Sequence, residues 1–416
     1  MPLLALEPVI PHAMAPHHAL LAMGEVDATV SMTGTATHIA CNMLGMGCLQ
    51  LPWALAIGGW LGIPWLILVA TMAAYTASVL GDLVAGSGLS HYADLIELKL
   101  GHRGRVAAFI IQNCSLILVS AAMLVLAATN LQTQWPRIFR NPNLGLLLCA
   151  GAAAPLCCVR DFGILKYSSI LGIGGALFTT LVIIYLLVQD GPASAGDTHL
   201  TLLDMQGFPV ASSSFVLVFG GHASLPTIFG AMRDPTQQKQ SIRIAWCCAL
   251  AIDAVVMVTA FLRFGRSLQS PILLSLPSGP IRSACLLLFT VHCWATIPLL
   301  LSPLAFNLER GLQKRQLVSE RCASFAAALI RLGLLLGVCL VGACLPFFSD
   351  LISIQGALFG TLTVFTLPVL TKLVGRDADA GVLERAWCFI ILLTSTAFGL
   401  VLGLACSMQR LSEKIR

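Results

Sequence analysis

Eleven predominantly apolar stretches of helix-spanning length run through this sequence, at 31–58, 61–86, 106–130, 144–159, 168–188, 208–232, 241–264, 281–305, 323–346, 349–371 and 386–406. A helix needs about 20 apolar residues to cross the hydrocarbon of a bilayer. Backbone in lipid must satisfy its own hydrogen bonds, which a helix does within one segment. Charge density points the same way. Only 10% of the 416 residues are charged, 57% are hydrophobic, and the mean hydropathy is +0.88. A soluble domain clothes its surface with about 25% charged residues. The sequence therefore excludes a soluble enzyme, a nucleic-acid binder and a disulfide-rich secreted module. It predicts an all-α, polytopic membrane protein whose first partner is the lipid bilayer.

Most of the fifteen cysteines lie inside apolar stretches, without C-x-x-C or zinc-ribbon spacing, so they read as small packing residues. No metal and no cofactor is implied. Residues 1–30 contain no Lys or Arg and so lack the basic n-region of a secretory signal; they read as a short cytoplasmic tail. Residues 407–416 read as a second tail. Between the second and third spans, residues 90–100 intersperse Leu95, Ile96 and Leu98 with Asp94, Glu97 and Lys99, the pattern of a short helix on the membrane surface.

Basic residues set the orientation. With the N-terminus cytoplasmic, the inside loops hold fifteen of the 24 Lys and Arg residues and the outside segments eight. Lys and Arg favour the cytoplasmic side. The remaining one, Arg331, falls within the ninth span and is expected to snorkel to the cytoplasmic face.

Two spans carry breaks. The first contains Asn42-Met-Leu-Gly45-Met-Gly47-Cys-Leu-Gln-Leu-Pro52, and the sixth contains Phe215-Val-Leu-Val-Phe219-Gly220-Gly221-His222-Ala-Ser-Leu-Pro226. Each is a glycine pair followed by a proline, a little over ten residues into its span. Such glycines can serve only for close helix packing. Two at matched depth instead point to a transporter's midplane site, where unwound backbone lines a cavity. Bare N–H groups there suit a carboxylate, and bare carbonyls an ammonium or a cation. If spans one to five and six to ten are repeats, covering about 31–188 and about 208–371, the breaks occupy corresponding positions, and 386–406 is an extra helix.

The stretch from Asn42 to Trp60 resembles the first-helix motif of the amino acid/auxin permease family, within the amino acid–polyamine–organocation superfamily. Phe219-Gly-Gly-His222 with Arg233-Asp-Pro235, and Leu345-Pro-Phe-Phe-Ser-Asp-Leu-Ile-Ser-Ile-Gln-Gly356 with Leu367-Pro368, resemble later motifs in the same order. The resemblance implies the five-plus-five inverted-repeat fold with one extra helix and broken helices one and six. It implies secondary active transport of a small, neutral amino acid by alternating access, coupled to H+ or Na+. Two positions depart from the pattern. Gly220 stands where many relatives carry a larger or acidic residue, and Asp253 falls where a tyrosine is usual.

The substrate-binding candidates are Asn42, Met43, Gly45, Met46, Gly47, Phe219, Gly220, Gly221 and His222. The ion-coupling candidates are His222, His38, His292, Asp253, Thr290 and Thr296. Histidine titrates near neutral pH, and an ionisable group within a span marks a functional site or a buried hydrogen bond between helices. A sodium site in this fold draws on first-helix carbonyls and eighth-helix hydroxyls. Thr290 and Thr296 are not adjacent, which favours protons. A membrane amino-acid sensor is the alternative, although short loops leave it little room for a cytosolic partner. A membrane enzyme lacks any H-E-x-x-H, paired-aspartate or G-x-S-x-G motif. Whether the membrane is the plasma membrane or a vacuolar or lysosomal one is not encoded in any visible motif.

Overall fold

The computed structural model describes residues 30–158, 167–193, 201–314, 322–374 and 381–416; the tail at 1–29 lies outside the described residues. The first span is divided into α1 (Met32–Met43) and α2 (Leu51–Gly58). Then come α3 (Gly62–Ser87), α4 (Tyr92–Gln134), α5 (Pro142–Cys158) and α6 (Tyr167–Asp190). The sixth span is divided into α7 (Gly207–Val218) and α8 (Leu225–Gly230). It is followed by α9 (Gln238–Phe264), α10 (Pro280–Lys314), α11 (Ala323–Cys344), α12 (Phe348–Val374) and α13 (Val382–Ile415). Among the described residues eight helical segments are long and apolar enough to cross a membrane; α5, α6 and the divided first span complete the eleven expected. The chain is an integral, multi-pass membrane protein.

Burial orders the bundle. In the sixth span 72% of the apolar window is covered by the rest of the protein, against 28% in α13, so the sixth span is innermost and the last helix peripheral. Close approach to α7 is made by glycine. A Cβ on Gly356 of α12 would lie 1.9 Å from the Ser213 carbonyl oxygen, so only glycine lets these backbones touch. Around it, Gln355–Thr366 winds as a π-helix.

Three local features refine the sequence reading. The helix at 90–100 is present, with Leu95 and Ile96 buried, and Gly101 (φ 69°) turns it into the membrane-crossing part of α4. Arg105 returns to pair with Asp94 at 3.1 Å and Glu97 at 3.0 Å. The expected C-terminal tail is instead helix: α13 continues to Ile415 because Ser407 and Leu411 are buried, Arg410 covers the Trp53 ring at 4.8 Å, and Lys414 pairs with Asp350. Arg331 does not snorkel. It is 4% exposed, donates from Nε to Glu309 at 2.9 Å and from Nη1 to the Cys157 carbonyl at 3.1 Å, and lies over Phe306. A charge at this depth is tolerated only when paired in this way.

Candidate functional site

Both breaks form where their glycines predict. In the first span α1 stops at Met43, Gly45 adopts φ −112° and ψ −127°, and Met46–Leu49 forms a short 3-10 turn. The α-helix restarts with Pro52 in its first turn, where a missing N–H costs nothing. The Cys48 thiol donates to the freed Gly45 carbonyl at 2.9 Å. In the sixth span Phe219 and Gly220 leave helical geometry, Gly221–Ala223 forms a 3-10 turn, and Pro226 opens α8. The Ser224 hydroxyl donates to the Gly221 carbonyl at 2.8 Å.

The breaks meet. A Cβ on Gly47 would stand 2.9 Å from Cγ2 and 3.2 Å from Cα of Val218, the last residue of α7. Gly45 borders more open space: the nearest atom to a Cβ there is His292 Nε2 of α10, at 4.0 Å. Thr296 donates its hydroxyl proton to the His292 carbonyl at 2.8 Å and lies 3.3 Å from His292 Nδ1. His292 Nε2 is thus the ring atom that faces the first break.

The remaining candidates separate. Met43 and Phe219 are buried beside the breaks, and a Cβ on Gly220 would meet the Leu217 carbonyl at 2.7 Å. The side chains of Asn42 and Met46 lie outside the described residues. His222 is fully buried, but its Nε2 is engaged with α3, 2.9 Å from the Thr76 hydroxyl and 3.1 Å from the Ala73 carbonyl. His38 is exposed. Thr290 is buried and donates to the Leu286 carbonyl of its own helix at 2.8 Å. Asp253 is fully buried in the middle of α9.

Sequence reasoning missed Gln50, a buried amide just before α2. Its Nε2 lies 3.4 Å from the Ser214 hydroxyl and 3.3 Å from the Ser349 carbonyl, while its Oε1 accepts from Ser270. One side chain thus ties the start of α2 to α7, to α12 and to the loop after α9. An amide in mid-span was the visible signal. At the opposite end, Val30 N–H donates to the Ala231 carbonyl at 3.1 Å, Arg233 N–H donates to the Val30 carbonyl at 2.9 Å, and Lys239 pairs with Asp82 at 3.1 Å. At the far end of α2, Asp204 N–H donates to the Gly58 carbonyl at 3.2 Å, so both ends of the broken helices are pinned. A small cleft lined by Cys157, Pro298, Leu301, Ser302, Ala305 and Arg331 contains no break residue.

Two unwound helices that meet inside an eleven-span bundle define an inverted-repeat secondary transporter. The chain belongs to the transmembrane amino acid transporter protein family, whose sequence profile matches residues 28–411. Among its relatives, amino acid transporter AVT1H of Arabidopsis thaliana is 27% identical, the match covering 80% of this chain and 79% of that one. AVT1B of the same plant is 28% identical over 92% of this chain and 72% of its own. The vesicular GABA transporter of Caenorhabditis elegans is 23% identical over 87% and 76%. Two solved structures share the fold. One is a manganese transporter of Eremococcus coleocola, with TM-score 0.56, 13% identity, and 98% and 95% of the two chains covered. The other is Mhp1, a nucleobase-cation-symport-1 family transporter, with TM-score 0.52, 14% identity, and 94% of each chain covered.

Proposed function

We propose that this protein moves a small, neutral amino acid by alternating access, driven by protons. The observation that carries the reading is the contact of Gly47 with the end of α7, beside a Gly45 that opens toward His292. Freed N–H groups would hold the substrate carboxylate, and freed carbonyls with His292 Nε2 would hold its ammonium. Asn42, Met43, Gly45, Met46, Gly47, Phe219, Gly220, Gly221 and His222 are assigned to this site or its walls. Relatives named as amino acid and GABA transporters support the substrate class. Protons are favoured over sodium because the Thr290 and Thr296 hydroxyls each donate to their own helix and form no adjacent pair.

Uptake of radiolabelled amino acids into proteoliposomes tests the reading. Accumulation should follow an imposed pH gradient and vanish with a protonophore. Accumulation that follows sodium at uniform pH, or the absence of any uptake, would contradict it.

A further inference from the structure

Helix α9 packs along both halves of the first broken helix, α1 and α2, and against α3 and α6, and it buries one stripe that includes Trp246, Ala249, Asp253, Met257 and Ala260 at a spacing of three to four. Near one end of the stripe, Trp246 stands edge-on to His222 of the sixth-span break, 6.1 Å between centroids. Near the other, Phe261 stands edge-on to Trp60, just beyond α2, at 5.5 Å. Asp253 lies about two turns, or ~10–12 Å, from each. Between those two contacts α9 also packs against the Met46–Leu49 turn of the first break, where the Cys48 thiol bonds the Gly45 carbonyl. Asp253 therefore sits level with the first break. It is fully buried, and neither carboxyl oxygen has a hydrogen-bond partner among the described residues.

Among the described residues the surroundings offer no counter-charge. On α3, Asp82 is paired with Lys239 and Tyr75 donates to Glu384 at 3.1 Å. On α6, Asp190 is paired with Arg263 at 2.6 Å and Tyr185 is exposed. On α1, His38 is exposed, and the described side chains of the first break include the buried Cys48 thiol but no charged group. On α9 itself Arg243 is exposed near the start of the helix. An isolated carboxylate in such a place is far more costly than the neutral acid.

We propose that Asp253 carries the transported proton: its carboxyl holds the proton while both ends of the broken helices are pinned, as here, and releases it when α1 swings away from α9. On release the carboxyl O–H bond breaks, the proton passes to entering water, and the hydrated carboxylate remains. This deepens the proton-coupled reading and rests on it.

The test uses the full chain in proteoliposomes, with Asp253→Asn as a permanent mimic of the protonated acid and Asp253→Glu as a titratable variant. One pH unit is worth about 1.4 kcal/mol, enough for about tenfold accumulation with one proton per substrate. Asp253→Asn should lose that accumulation and the substrate-triggered proton movement reported by an internal pH dye. It should keep amino acid counterflow at uniform pH, while Asp253→Glu should retain coupled uptake. An Asp253→Asn protein that accumulates substrate like wild type overturns the assignment. So does a monodisperse Asp253→Asn protein without counterflow, because the carboxyl would then hold substrate rather than a proton. Wild-type uptake indifferent to the pH gradient overturns the proton-coupled reading beneath it.

Discussion

Gly47→Ala is the smallest change that asks whether the two breaks are pressed together. The added methyl would lie 2.9 Å from Val218 Cγ2 and 3.2 Å from Val218 Cα, both inside the ~3.5–4.0 Å of ordinary carbon contact. Rotation of Val218 can move Cγ2, but Cα belongs to the last turn of α7 and cannot move alone. Overpacking of this kind costs about 1–3 kcal/mol. Strain confined to the closed arrangement displaces the closed–open equilibrium by about 5- to 150-fold. Initial uptake should fall by about tenfold or more, while detergent-solubilised protein stays monodisperse, because the bundle can relax into an open state. Adding Val218→Ala removes Cγ2 and should restore part of the rate, leaving the contact with Cα as the residue of the defect. Radiolabelled uptake at matched protein density measures both variants. Wild-type transport by Gly47→Ala, or no rescue by Val218→Ala, would refute the reasoning and return Gly47 to an ordinary packing role.

Glu309→Ala removes the carboxylate that pairs with Arg331 inside the bundle and should cost about 3–5 kcal/mol, seen as a loss of folded protein in size-exclusion chromatography; unchanged recovery would show that the pair is dispensable. His222→Ala breaks the bonds to Thr76 and Ala73 and leaves those groups to find other partners, a loss of about 1–3 kcal/mol. It should lower thermal stability and leave the pH profile of the remaining uptake in place, whereas a shifted profile would give the ring a proton to carry. Asp234, in the turn between α8 and α9, has its carboxyl held below the usual carboxylate range by bonds from the Thr236 hydroxyl and amide and from Gln237. The cap is therefore present above about pH 4 and is lost as pH falls through the lowered value. Hydrogen exchange at the Thr236 amide should accelerate there relative to Asp234→Asn, and equal acceleration in both would discount the carboxylate.

Much of the architecture was legible in the sequence because lipid leaves little choice: apolar length gave the spans, and a glycine pair followed by Pro52 or Pro226 gave the breaks. Gly101 could be suspected where the amphipathic pattern of 90–100 gives way to a span. The faces of the helices were another matter. A helix buried on all sides shows no amphipathic stripe, so nothing along the chain said that His222 turns to Thr76 on α3 while His292 turns to Gly45. The last ten residues looked like a polar tail because their partners, Trp53 and Asp350, are remote in sequence. Arg331 looked like a snorkelling residue for the same reason, its carboxylate Glu309 lying on another helix.

A cryo-EM structure of the protein with a transported amino acid bound tests the central claim most directly. The account predicts density for the substrate between Gly45–Gly47 and Phe219–Gly221, its carboxylate on freed N–H groups and its ammonium toward His292. Substrate density elsewhere, as in the cleft between Cys157 and Arg331, with both breaks unoccupied, would contradict it.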